Sequence, residues 1–82
     1  MKAKQMENYL LETYGKVVHN MEAMEYACNE VAKGHDITTE EVFFFMVEDK
    51  PIPTMYTHSY GFNTRSGRIL KLEFNDIYYN YQ

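Results

Sequence analysis

Apolar residues recur along the first third of the chain at the spacing of one helix face. At about 100° per residue, Ala3, Met6, Leu10, Tyr14, Val17, Met21, Met24, Cys28 and Val31 fall within an arc of about 100°. That is the width of the buried stripe of an amphipathic helix. Glu12, Lys16, His19 and Glu30 lie opposite, and Gly34 supplies a C-terminal stop. Gly15 falls on the outward face, so the stripe runs through it in phase. Thirty residues of unbroken helix would nevertheless make a rod of about 45 Å, against about 30 Å for a domain of this length. The first helix therefore either bends near Gly15, where glycine lowers the cost of a break, or projects to meet a second copy.

A second helix is announced by its start. Thr38 and Glu41 have capping-box spacing, and Ile37 and Val42 are placed for a hydrophobic staple. Asp36, Glu40 and Glu41 add negative charge at the positive end of the helix dipole. The helix is predicted over Thr39–Asp49. Lys50-Pro51 ends it and Pro51-Ile52-Pro53 forms an extended link. Val42 to Val47 are apolar without interruption, which requires cover on every side. That pattern also suits a buried strand, but the cap favours the helix.

The last third reads as β. Met55–Tyr60 is rich in strand formers. In Arg68–Phe74, Leu70, Leu72 and Phe74 alternate with Lys71 and Glu73. Asn63-Thr64-Arg65-Ser66-Gly67 has turn chemistry. Asn75-Asp76 would turn the chain again, leaving Ile77–Tyr81 as a third strand or an extension of the second. The expected fold is α+β: one domain over residues 1–82, with a helical part (1–50) and a β-hairpin part (51–82). Two helices, the second in the middle, would pack on a two- or three-stranded antiparallel sheet.

Composition adds little to this picture except on partners. The chain is 45% hydrophobic and 16% aromatic over 82 residues, too apolar to be disordered. So much apolar surface is hard to cover in a chain this short, and a homodimer is expected. Net charge is −4; residues 1–50 carry −5 and residues 51–82 carry +1. An acidic chain is not drawn to phosphate backbones as a whole. Cys28 is the lone cysteine, which excludes an internal disulfide and fits a reducing compartment. Neither a signal peptide nor an apolar run of about 20 residues is present. The expected compartment is the cytoplasm.

Catalytic and metal patterns are missing. His19, His35 and His58 are too far apart in sequence to pair within one helical turn, and Cys28 has no cysteine partner. Cys28 sits in the apolar stripe, where a thiol acts as a small hydrophobe. Gly15, Gly34, Gly61 and Gly67 are scattered and make no phosphate loop. No enzyme, metal site or cofactor is expected.

What stands out is tyrosine, with eight in the chain. Tyr78, Tyr79 and Tyr81 cluster beside Asn75, Asn80 and Gln82, and Tyr26 lies on the outward side of the first helix. Tyrosine combines a large contact surface with a hydrogen bond at small entropy cost, which suits protein interfaces. Strands also favour tyrosine, so these side chains could equally cover the second helix. The expected function is a non-enzymatic protein-binding modulator or inhibitor, contacting its partner through Tyr78, Tyr79 and Tyr81, with Arg65 and Arg68 as charged anchors. The alternative is a nucleic-acid-associated regulator using Arg65, Arg68 and Lys71 on a basic hairpin. The helix before it, Glu40–Asp49, lacks the polar and basic side chains of a recognition helix.

No family motif is present. In general make-up, short, acidic and rich in Tyr, Asn, Phe and Met, the chain resembles small phage-encoded accessory proteins. The resemblance implies a protein that binds a host or phage protein and alters its activity, as host-takeover and anti-defence proteins do. It carries no site residue.

Overall fold

In the computed structural model, residues 1–48 and 64–81 are described, the side chains of Thr64, Arg65 and Ser66 excepted. Four helices and no strand occur among them: α1 (Ala3–Tyr14), α2 (Met21–His35), α3 (Thr39–Glu48) and α4 (Thr64–Tyr81). The expected α+β fold is thereby corrected to a helical one. The predicted strand at Met55–Tyr60 and the Pro51–Pro53 link lie outside the described residues.

α1 starts where the Lys2 backbone N–H donates to Gln5 Oε1 at 2.8 Å. One residue on, the Ala3 N–H donates to Glu25 Oε1 of α2 at 3.0 Å. Each bond satisfies a donor that the first turn of a helix leaves without an internal partner. The helix ends at Gly15, which takes a left-handed conformation with φ of 64°. The Gly15 N–H donates to Leu11 O at 3.0 Å and the Lys16 N–H to Leu10 O at 3.2 Å, closing off the last carbonyls. The chain restarts as a helix only at Met21, where the Asn20 side chain caps by accepting from the Ala23 N–H at 3.1 Å.

The long first helix is therefore two helices. Its stripe is interrupted only at the connection: Met6, Leu10, Met21, Cys28 and Val31 are buried, but Tyr14 and Val17 are exposed, Val17 to 77%. The longest principal dimension of the molecule is 34 Å, shorter than the rod an unbroken helix would make.

α2 is the central element, with α1, α3 and α4 all packed on it. The sequence pattern puts α3 in the middle instead. The reason lies in α2's small residues. Ala23, Ala27, Cys28 and Ala32 are buried with Met21 and Val31. At 100° per residue these positions cover about half the circumference. Small side chains let neighbouring backbones approach closely, so one helix can hold three. α2 ends one residue past the expected stop at Gly34, and Asp36 takes the left-handed cap with φ of 55°.

α3 begins as its sequence requires. The Thr38 N–H donates to Glu41 Oε1 at 3.0 Å and the Glu41 N–H donates to Thr38 Oγ1 at 3.1 Å. Ile37 and Val42, the staple pair, are both buried. Thr39 Oγ1 donates to Asn29 Oδ1 at 2.6 Å, tying α3 to α2. Phe43 is fully buried, with Val42 and Phe45 beside it in the core. Tyr9 of α1 stands edge-on to Phe43 and Phe44 at 5.9 and 5.2 Å, and its hydroxyl donates to Glu48.

α4 replaces the expected second and third strands, Arg68–Phe74 and Ile77–Tyr81, and takes in the turn at residues 64–67. Leu70 and Phe74 are buried, while Leu72 is 62% exposed. In a strand all three would share a face. In a helix Leu72 lies about 200° from Leu70 and points away.

Candidate functional site

The predicted contact residues Tyr78, Tyr79, Tyr81, Arg65 and Arg68 all lie on α4, but the helix distributes them around its circumference. Tyr81 is on the side facing α2, where its ring stacks on Tyr26 with centroids 4.6 Å apart and planes 16° from parallel. Both rings stay near half exposed. Tyr78 is half-buried, stacked on Phe74 at 5.5 Å and edge-on to Tyr79 at 5.2 Å. Tyr79 is 67% exposed. A strand would have put Tyr79 and Tyr81 on one face. In the helix they are about 200° apart.

Arg68 is exposed and lies eleven residues, about 16 Å along the axis, from Tyr79. The charged anchor and the aromatic cluster are therefore not one patch. Arg65 belongs to the first turn of α4, with its side chain outside the described residues. The basic hairpin of the alternative reading is replaced by a helix. Lys71 lies 5.5 Å from the centroid of the Phe45 ring, a cation–π contact between α4 and α3.

The remaining chemistry-bearing side chains serve other contacts. Cys28 is fully buried, and burial pushes its thiol from 9.0 up to about 12. It stays a protonated, inert core residue. His35 Nε2 and Glu73 Oε2 are 2.6 Å apart, linking the end of α2 to the middle of α4. His19 is exposed in the α1–α2 connection, and His58 lies outside the described residues. No group of three His, Cys, Asp or Glu among the described residues is placed to hold a metal ion. An open groove of about 430 Å³ separates the first turns of α1 from the residues leading into α2, bordered by Lys4, Glu7, His19 and Glu22. Its rim carries both charge signs and no nucleophile.

The Tyr26–Tyr81 stack was missed from the sequence. Its signal was nonetheless there: read with a period of 3.6, Leu70, Phe74, Ile77 and Tyr81 share one face, so Tyr81 continues the α2-facing side of α4 to its last residue. No protein-family model, curated protein or solved structure matches the chain in a comparison with each. None of the described helices is long and apolar enough to cross a membrane.

Proposed function

We propose that this is a non-enzymatic protein-binding modulator that contacts its partner through the aromatic surface where α2 meets the end of α4. The observation behind this reading is the Tyr26–Tyr81 stack, two rings held parallel at 4.6 Å while each stays near half exposed. Stacking fixes both side chains before a partner arrives, so little rotamer entropy remains to be lost on binding. The rings present apolar faces and two hydroxyls, the chemistry enriched at interface centres. Tyr78 borders them on α4.

The test is capture from a lysate of the native host, followed by titration of the purified captured protein against wild type and a Tyr26→Ser/Tyr81→Ser variant. Loss of two interface anchors should weaken binding by about 30-fold or more, with the helical circular dichroism unchanged. Equal affinity for the folded variant overturns the assignment of the surface. Failure to isolate any saturable partner overturns the function.

A further inference from the structure

We propose that the outer face of α4 is a homodimer interface in which two copies of this chain pair antiparallel about Leu72. This face is opposite the tyrosine stack and does not depend on the reading given above. Leu72 is 62% exposed at its centre, with Ile69 at 38% and Tyr79 at 67% on either side. Arg68, Leu72 and Asp76 stand four residues apart and form one row along the helix surface.

The charges along that row fit a second copy of the same helix. A two-fold interface brings residue i of one copy to residue j of the other and j to i. Arg68 and Asp76 lie the same four residues before and after Leu72, with opposite charges. An antiparallel two-fold at Leu72 therefore sets Arg68 of each copy against Asp76 of the other, twice. A parallel pairing would set Arg68 against Arg68. Among the described residues Arg68 makes no ion pair, and Asp76 accepts only from Asn80 Nδ2 on its own helix, at 3.1 Å. Both are exposed. One 18-residue helix is about 27 Å long, which makes the contact a small one of the transient class. Dimerisation is accordingly expected in the micromolar range.

Sedimentation equilibrium of the purified full chain across that range tests the pairing without any other protein. Wild type should pass from one-chain to two-chain mass, and Leu72→Glu should remain at one-chain mass. Arg68→Asp alone should weaken dimerisation by roughly tenfold, since each change affects both symmetric pairs. The double variant Arg68→Asp/Asp76→Arg should restore it. Leu72→Cys should form a disulfide-linked dimer on mild oxidation, because a residue on the two-fold meets its own copy, while the buried Cys28 does not compete. A one-chain mass for wild type throughout overturns the proposal. So does a dimer indifferent to Leu72→Glu, a charge swap that fails to rescue, or a Leu72→Cys variant that does not cross-link.

Discussion

α3 and α4 both pack on α2, yet they are covered very differently. α3 is apolar from Val42 to Val47; Val42, Phe43 and Phe45 are buried and Phe44, Met46 and Val47 are half-buried. α4 buries Leu70 and Phe74 and turns Ile69, Leu72 and Tyr79 outward. α3 is thus committed to the core, and changes along it are paid in stability. α4 holds the core with one face and leaves the other exposed.

Substitutions on the two helices should therefore separate stability from binding. The largest expected loss is at the centre of α3. Phe43→Ala removes a fully buried ring that meets Tyr9 edge-on and should cost about 3–5 kcal/mol, read as a shift in urea midpoint. In a domain this small that would leave little folded protein. A loss below about 1 kcal/mol would mean that the core has another centre.

The next effect comes from the central helix that both others share. The Cys28 thiol is raised to about 12 in the fold, so the native state keeps a proton that the unfolded chain releases above its ordinary value of 9.0. Stability must then fall as pH rises from 9 towards 12, by about 1.4 kcal/mol per unit. Comparing wild type with Cys28→Ala at pH 8 and pH 10 isolates this slope, because tyrosines and lysines titrate in both. Parallel pH profiles would show that Cys28 is accessible to water.

Smaller still are the boundaries of the helices. Thr38→Ala removes the side chain that receives the Glu41 N–H and should cost about 1 kcal/mol. Gly15→Ala should cost a similar amount. No atom stands within 4 Å of the added carbon, so only the left-handed backbone opposes it. The smallest effect is expected on the outer face of α4. Leu72→Ser should change the stability of the dilute protein by no more than about 0.5 kcal/mol. A larger cost would move Leu72 into the core and erase the contrast between the two helices.

The start of α3 could be read directly from the chain because its stabilising contacts are local. Thr38, Glu41, Ile37 and Val42 lie within six residues and need nothing else in the fold. α4 could not be read the same way. Leu70 and Phe74 are four residues apart, a spacing that places them on one face in a strand and also in a helix. Leu72 distinguishes the two, and whether it is covered or exposed is decided by neighbours far away in sequence. Placing Tyr79 and Tyr81 on one face followed from the strand reading, and the helix sets them about 200° apart. Tyr26 was noticed on its own helix, but its pairing with Tyr81 joins positions 55 residues apart.

Taken alone, the sequence determined the face that Met6 and Leu10 present, the cap and staple of α3, and the inert setting of Cys28. Each follows from interactions within a few residues or from the apolar character of a side chain. Only the tertiary structure decided that the first helix stops at Gly15, that α2 rather than α3 is the centre, and that residues 64–81 are helical. A left-handed glycine and a capping asparagine permit a break in a helix. The burial gained by folding α1 and α2 against each other makes it favourable. In the same way, a four-residue spacing allows two structures, and the surface of α2 selects the one that buries Leu70 and Phe74 while leaving Leu72 outside.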